Sequence, residues 1–522
     1  MTDQTTKSAQ TAPPRVSLVG AGPGDPRLIT ALGLERLRAA DVVIHDALAN
    51  PQLLDEAPPH AERLDVGKRA RAHKLTQDQI NALLVEKAQQ GGRVVRLKGG
   101  DPYLFGRGAE EAAYLAQHGV AVEVIPGITA GIAAPMTAGI PVTHRALAST
   151  VTFVTGHEDP TKRETAIDYR PLAALIEKGG TVCFYMGVGR LPEIATALTS
   201  AGLDVQTPAA AVQWGTTPRQ RTVRDTLTQL PDAVQRAGLG APAIIVVGPV
   251  AALTEPGLDF FTQRPLFGQT VLITRTRQQA SELRRQLETL GAEVLEAPTI
   301  ELVPPQTWDE VDAALRDVQQ YDWLVLTSAN GVAAVHHRLE ALGLDARHFA
   351  GLKLAAIGDA TAHALREKLG IQADLVPTRF VAESLADEMI AQQNIKGKRI
   401  LLLRADIARP ALPQRLGDAG ADVTELVAYR TKLAAALPEA ALSALRERRV
   451  NWITFTSAST ARNLATLLGD ERDLVDEAQI ASIGPITSET VRELGFEVTV
   501  EAQSSNIAGL VAALAEAVRS RA

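Results

Sequence analysis

Residues 16–26 read VSLVGAGPGDP, a short apolar run that breaks into three glycines and two prolines. Val16–Val19 predicts a buried strand, and the glycines predict a turn at its carboxyl end where backbone can approach a ligand closely. A dinucleotide-binding fingerprint would need glycine at the first, third and sixth positions of this loop. Gly20 and Gly22 satisfy the first two, but Asp25 holds the sixth, and Pro23 and Pro26 stiffen the turn. A second loop, KGGDP at 98–102, follows the run Val94–Leu97 and continues as YLFGRGAEE. Either loop alone reads as a tight turn. Both at strand ends of one domain point to a ligand site, because open α/β sheets bind at that edge.

Working outward, short β-branched runs alternate with amphipathic stretches. The runs are Val42–His45, Val151–Thr155, Thr181–Tyr185 and Ile244–Val247, and Gln77–Gln90 shows helical spacing at Ile80, Leu83, Leu84 and Ala88. This is the α/β pattern. The 522 residues suggest roughly three to four lobes. Hydrophobic residues make up 46% and charged residues 22%, which excludes wholesale disorder. Aromatics are few, so the cores are expected to be built from Ala, Val, Leu and Ile.

Net charge is −7, which argues against a protein that coats nucleic acid or an anionic membrane. One cysteine, Cys183, forbids an intramolecular disulfide and a cysteine-based zinc site, and fits a reducing compartment. No HExxH or other metal-ligand pairing appears among the histidines, so no metal is expected. The N-terminus lacks the apolar core of a secretory signal, and the cytoplasm is the expected location. Val124–Thr143 is uncharged, but Pro126, Pro135 and Pro141 with Gly127, Gly131 and Gly139 oppose a spanning helix. A buried loop followed by a short helix is expected there.

Periodicity fails at 251–268, which holds Pro256, Gly257, Pro265 and Gly268, and a new strand is expected at Val271–Thr274. Beyond this break the chain repeats itself. LVLTSAN at 324–330 matches ITFTSAS at 453–459, and AIGDATA at 356–362 matches SIGPITS at 482–488, at offsets of 129 and 126 residues. A period this long means two similar lobes rather than a solenoid.

The first-half motifs VGAGPGDP, HDALAN, VGKR, RLKGGDPYLFGRG, PGITAG, AGIPVTHR, TGH, YMGV and WGTTPRQ occur in order. Together they resemble the tetrapyrrole methylases, specifically uroporphyrinogen-III C-methyltransferase, over residues 15–250 with 1–14 as a flexible tail. The resemblance implies S-adenosylmethionine (SAM) as donor of two methyl groups to uroporphyrinogen III, giving precorrin-2. It implies SAM contacts at Pro23, Gly99, Gly100, Asp101, Leu104, Thr129, Ala130, Met186 and Gly215, and more weakly Ala243. It makes Asp46 the base that removes the proton after methylation, a role that suits a carboxylate near a strand end. A helix N-cap is the competing reading of Asp46. It makes Lys68 a proton donor, with carboxylate binding equally open. Residues 64–107 hold nine Lys or Arg against four Asp or Glu. That excess suits an octacarboxylate substrate, with Arg69, Arg107, His144 and Arg145 as further pocket candidates. The chain departs from the family at His45, where tyrosine is usual, and at Met136–Thr137–Ala138, where AYAGIP would read differently.

In the second half, VLITRTRQQASEL, YDWLVLTSANGV, AAIGDATAHAL, PTRFVAESL, LLLRAD, VAYRT, SIGPITSETV and SSNIAGLVAAL resemble uroporphyrinogen-III synthase over 269–522. The two families catalyse consecutive steps. The implied fold has two α/β lobes, one built from 269–302 and 431–522 and the other, inserted, from 303–430. The expected whole is therefore α/β, a two-lobed methylase and a two-lobed synthase joined by the linker 251–268, each lobe a parallel-rich sheet flanked by helices. The implied reaction is loss of water from hydroxymethylbilane with inversion of ring D, without a cofactor. Helix N-termini would bind substrate carboxylates, with Ser328, Thr361, Ser457 and Thr487 at those turns. Ordinary capping explains Ser328 and Ser457 equally well. The resemblance gives Tyr429 a part in hydroxide loss, against a simple packing role. It also implies a homodimer through the methylase half. The competing functions are methylation of a later corrin intermediate with a degenerate second half, a ligand-binding module, and a NAD-dependent oxidoreductase that the misplaced third glycine disfavours.

Overall fold

The structure, a computed structural model, describes residues 15–67, 75–156, 167–275, 277–379 and 381–521. It forms two compact units, whose division falls at residues 271 and 272, with 285–294 and 515–522 grouped with the first. The described residues form four five-stranded sheets.

The first sheet contains β1 (Val16–Gly20), β2 (Val42–His45), β3 (Glu62–Asp65), β4 (Val94–Lys98) and β5 (Val122–Ile125). Its order is β3-β2-β4-β1-β5 and every pairing is parallel. The runs of β1, β2 and β4 are buried throughout, as a sheet covered on both faces requires, while edge strand β3 is mostly exposed. Leu18, Ile44 and Leu84 pack on one face and Val19, Val43 and Leu97 on the other. The helix Gln77–Gln89 begins in a capping box formed by Thr76 and Gln79.

The second sheet contains β6 (Val151–Thr155), β7 (Thr181–Tyr185), β8 (Pro208–Gln213), β9 (Arg221–Thr226) and β10 (Ala243–Val247), in the order β6-β7-β10-β8-β9. Only β6 and β7 pair parallel; β7–β10, β10–β8 and β8–β9 are antiparallel. The α/β class holds, and this sheet is mixed. Strands β8 and β9 join through a short connection rather than a crossover helix, which forces the antiparallel pairing. The uncharged stretch 124–143 holds the end of β5, a loop and the helix Ala130–Thr137. Its loop is not fully buried as expected, since Ile128 is 38% exposed. No helix among the described residues is long and apolar enough to cross a membrane.

The second half of the chain opens with β11 (Thr270–Ile273) and β12 (Glu293–Glu296). It then builds a separate sheet from β13 (Ile300–Val303), β14 (Trp323–Leu326), β15 (Lys353–Ala356), β16 (Arg399–Ala405) and β17 (Asp422–Leu433). After these come β18 (Trp452–Phe455), β19 (Gln479–Ser482) and β20 (Val500–Glu501), which pair back with the opening strands in the order β12-β11-β18-β19-β20. The other sheet runs β13-β17-β16-β14-β15, parallel except for β13 against β17. The sequence repeat corresponds to a structural one. Trp323 pairs with Lys353 where β14 meets β15, and Trp452 pairs with Gln479 where β18 meets β19, both in parallel register. In each copy the first strand leads through a serine cap into a helix, Ala329–Ala341 and Ala458–Leu468. Aliphatic residues and alanine dominate the cores, as the scarcity of aromatics required.

Candidate active sites

At the carboxyl edge of the first sheet three backbones touch. A Cβ on Gly20 would lie 2.4 Å from Gly127 Cα, and one on Gly127 would lie 2.1 Å from Gly100 O. These positions are glycine because no side chain fits. Gly100 N donates to Gly22 O at 2.7 Å and Gly22 N donates to Gly100 O at 3.3 Å, so the two glycine loops lock each other. Asp101 ties in a third segment. Its Oδ1 accepts from Tyr103 N at 2.8 Å and Leu104 N at 3.1 Å, and its Oδ2 accepts from Gly127 N at 3.0 Å. A Cβ on Gly100 would meet nothing within 4 Å, so this part of the edge borders open space.

The second sheet of the unit supplies the other side. Tyr185, at the end of β7, is hydrogen-bonded to Thr129 Oγ1 at 2.5 Å and accepts from Gly131 N at 2.7 Å. Burial pushes its phenol pKa up. Met186 follows it, half exposed, with φ of 55°. Asp25 N donates to Thr216 Oγ1 at 3.1 Å, which joins the first glycine loop to the segment after β8. A Cβ on Gly215 would lie 2.2 Å from Ala134 Cβ. The buried Gln220 holds this turn, accepting from Thr216 N at 3.0 Å and donating to Thr137 O at 3.0 Å. Ala243 pairs with Gln213 at the start of β10. Thus Pro23, Gly99, Gly100, Asp101 and Leu104 come from one sheet edge, and Thr129, Ala130, Met186, Gly215 and Ala243 from segments bonded or paired around it. Phe105, Arg107, Met186, Trp214 and Thr216 all have positive φ, a strained conformation for residues with side chains. Such strain clusters at functional sites. Tyr185 and Gln220 were not picked out from the sequence.

Asp46 follows β2 and is not a helix cap, since Asn50 caps the adjacent turn Pro51–Glu56. Its Oδ1 accepts from Arg96 Nη2 at 2.5 Å. Arg96, in β4, is 2% exposed, and its Nε donates to Glu111 Oε1 at 3.3 Å. The same oxygen accepts from Lys98 Nζ at 2.9 Å and Gln77 Nε2 at 3.1 Å. Glu111 is fully buried, and its Oε2 has no partner. Burial lowers the Lys98 pKa, with the Arg96 charge adding to the effect. Two carboxylates and two cations therefore balance in a chain of contacts ending at Asp46.

Within the basic stretch 64–107, five of the nine cations are ion-paired. Lys87 pairs with Glu62, Arg93 with Asp41, Arg96 and Lys98 with Glu111, and Arg107 with Glu110. The remaining cations, including Lys68 and Arg69, lie outside the described residues. His144 accepts from Ala146 N at 3.3 Å within a local turn, and Arg145 is exposed in that turn.

In the second unit, Ser328 caps the helix Ala329–Ala341, its Oγ accepting from Gly331 N at 3.0 Å. The same Oγ lies 2.9 Å from Tyr429 Oη. Ser457 caps Ala458–Leu468 and lies 2.9 Å from Ser459 Oγ. Thr361 and Thr487 are different. They are 3% and 5% exposed, so they are buried. Their helices start after Gly358 and Gly484 with no side-chain cap, which leaves the first-turn backbone N–H groups without a side-chain partner. No cluster of His, Cys, Asp and Glu suited to a metal occurs among the described residues.

Residues 15–231 match the model of the Tetrapyrrole (Corrin/Porphyrin) Methylases, and 281–512 match that of Uroporphyrinogen-III synthase HemD. The chain is 36% identical over 502 residues to a porphyrin biosynthesis protein HemD of Ruminiclostridium josui, covering 96% of this chain and 97% of that one. It is 46% identical over 252 residues to an S-adenosyl-L-methionine-dependent uroporphyrinogen III methyltransferase of Methanosarcina barkeri, covering 47% of this chain and 98% of the relative. A crystal structure of uroporphyrin-III C-methyl transferase from Thermus thermophilus, complexed with S-adenyl homocysteine, is 38% identical and covers 45% of this chain and 98% of that one, at a TM-score of 0.39. With both family models matched in order and a relative aligned along nearly all of it, the chain belongs to the tetrapyrrole methylases in its first half and to the uroporphyrinogen-III synthase HemD family in its second.

Proposed function

We propose that the chain is a bifunctional enzyme of tetrapyrrole biosynthesis. Its second half, 269–522, cyclises hydroxymethylbilane to uroporphyrinogen III with inversion of ring D and loss of water. Its first half, 15–250, transfers two methyl groups from SAM to that product, giving precorrin-2 on the sirohaem and cobalamin branch. The linker is 251–268. The synthase lobes are 269–302 with 431–522, and 303–430. The observation that carries the proposal is Asp46, fixed by Arg96 at the end of β2, the strand that pairs with β4 and its Gly99–Gly100 loop.

The residues present fit SAM. The Gly99–Gly100 edge is backbone-lined and open at Gly100, and the helix Ala130–Thr137 starts without a side-chain cap. SAM supplies an electrophilic methyl group that needs no metal. Pro23, Gly99, Gly100, Leu104, Thr129, Ala130, Met186, Gly215 and Ala243 hold it in this proposal, and Asp101 keeps the loops in place. Asp46 removes the proton that the methylated ring carbon must lose. Lys68 gives a proton or binds a carboxylate, and Arg69, Arg107, His144 and Arg145 answer the substrate's carboxylates.

In the synthase half, Tyr429 protonates the departing hydroxide. Ser328 and Ser457, with the uncapped N-termini near Thr361 and Thr487, orient the acidic side chains. Holding the chain in a near-attack geometry supplies much of the barrier reduction. Both activities are assigned to the cytoplasm, in keeping with one buried cysteine. A homodimer through the methylase half completes the proposal.

The test is to give the purified protein hydroxymethylbilane with and without SAM and to separate the products. The expected products are uroporphyrinogen III without SAM and precorrin-2 with it. Formation of the I isomer alone overturns the synthase assignment, and unmethylated uroporphyrinogen III in the presence of SAM overturns the methylase one.

A further inference from the structure

Beside Tyr429 lies a cavity of about 210 Å³. One wall is a single face of the helix Ala329–Ala341, carrying Asn330, Ala333, Ala334 and His337 at positions i, i+3, i+4 and i+7. The opposite wall is made by Leu302 and Val303 of β13 and Ala428 and Tyr429 of β17, and Trp308 closes one side. Two alanines at the centre of the helix face keep the space open. Its size is below the few hundred Å³ of a site for a drug-sized ligand, so it suits one small ring rather than a whole tetrapyrrole.

The polar groups are placed unevenly. Asn330 is 8% exposed, and its side-chain amide makes no hydrogen bond among the described residues. Its polar atoms are not among the buried ones left without a partner, so the amide stays open to the cavity and can pair with a ligand that enters it. His337 is exposed at the mouth and also makes no hydrogen bond among the described residues. Tyr429 Oη is held by Ser328 Oγ at 2.9 Å, and Ser328 Oγ is itself fixed by Gly331 N.

We propose that this cavity is the subsite for the terminal pyrrole ring of hydroxymethylbilane, the ring that bears the hydroxymethyl group, and that Asn330 binds its N–H. A pyrrole is flat, apolar on both faces and a hydrogen-bond donor only at nitrogen. It matches a cavity with aliphatic walls, one indole at the side and one unpaired amide oxygen. The inference rests on the synthase reading above and adds the ring and the residue that reads it.

The chemistry follows from the arrangement. The nitrogen lone pair pushes into the ring as the C–O bond of the hydroxymethyl group breaks. The hydroxide takes the Tyr429 proton and departs as water. The ring becomes an azafulvenium cation whose N–H is a stronger donor than that of the starting pyrrole. The bond to Asn330 Oδ1 therefore tightens as charge develops, which favours the transition state over the ground state. The carbon that closes the macrocycle later loses a proton, and this restores Tyr429.

The test uses the full chain and three variants, measuring the initial rate of uroporphyrinogen III formation over a range of hydroxymethylbilane, with circular dichroism melts to confirm folding. Asn330→Leu, similar in volume but without an acceptor, is expected to lower kcat/KM roughly 10- to 100-fold. Asn330→Asp keeps an acceptor oxygen and is expected to retain more activity than Asn330→Leu. Ala334→Leu fills the cavity without altering any polar group and is expected to raise KM. Wild-type-like kinetics in Asn330→Leu, or equal losses in Asn330→Leu and Asn330→Asp, overturn the assignment of Asn330. An unchanged KM in Ala334→Leu overturns the ring subsite even if Asn330→Leu does not fold. Failure of the wild-type chain to form uroporphyrinogen III overturns the synthase reading itself, a result distinct from loss in a variant alone.

Discussion

Arg96 grips Asp46 through Nη2 at 2.5 Å while its Nε reaches back 3.3 Å to the buried Glu111. The carboxylate assigned to catalysis is thus oriented by a cation that is itself fixed by a carboxylate no solvent reaches.

Asp46→Asn preserves shape and removes the basic oxygen. Methyl transfer to uroporphyrinogen III should fall by about 10²- to 10⁴-fold, the usual contribution of a positioned general base. Calorimetric titration should find SAM binding unchanged. Loss of SAM binding in this variant would assign Asp46 a structural role instead.

Glu111→Gln leaves Arg96 and Lys98 buried without their shared counter-charge. Removing one partner of a buried pair costs on the order of 3–5 kcal/mol. Urea unfolding followed by circular dichroism should show a loss of that size in the first unit. A change below about 1 kcal/mol would mean that water or a rearranged side chain replaces the carboxylate.

Gly127→Ala places a methyl group where Gly100 O already sits, at 2.1 Å. Overpacking of this kind costs about 1–3 kcal/mol and shifts the backbone. The Gly100 loop should be displaced, so SAM affinity should fall more than tenfold. Gly100→Ala tests the other property, since its added Cβ meets nothing but must adopt a φ of 68°.

Tyr429→Phe removes the hydroxyl that meets Ser328. Ring closure should slow by about tenfold or more. Stopped-flow consumption of hydroxymethylbilane reads this directly, and an unchanged rate would remove Tyr429 from the mechanism.

Asp41 gives a pH prediction. The Arg93 side chain and backbone N–H bond its carboxylate and lower its pKa from 3.8 to about 2. A lowered folded-state pKa means that its contribution is complete above the unfolded value. It is lost as pH falls from about 4 through about 2. Asp41→Asn should therefore flatten the acid side of the stability profile in that window. A wild-type-like acid limb in the variant would show that the pair contributes nothing to folding.

The glycine loops were readable because glycine at a strand end has few causes, and the close approaches at Gly20, Gly100 and Gly127 are among them. The lobe repeat was readable because Trp323 and Trp452 start equivalent strands, so like residues recur at like positions. The carboxylate–cation chain at Asp46 was not. A buried Arg96 and Lys98 look in sequence like any other basic residues, and only tertiary pairing with Glu111 separates them from a solvated face. The burial of Thr361 and Thr487 was hidden for a related reason. A glycine already occupied the cap position, so the threonine falls one turn farther along and faces inward. The antiparallel pairings of β10 were hidden because the buried run 243–247 has no alternation to mark strand direction.

The interruption of one sheet by another in the second half of the chain sets an order of assembly during synthesis. Strands β13 to β17, within 300–433, form a sheet that can close as soon as that stretch is made. Strand β11 must instead wait for β18, which begins at Trp452, before its sheet can be completed. Until then β11 and β12 have exposed hydrogen-bonding edges and uncovered apolar side chains. The nascent chain is thus most exposed to misassociation while residues 297–451 emerge. A chaperone that holds the edge of β11 during that interval would act where the topology is slowest.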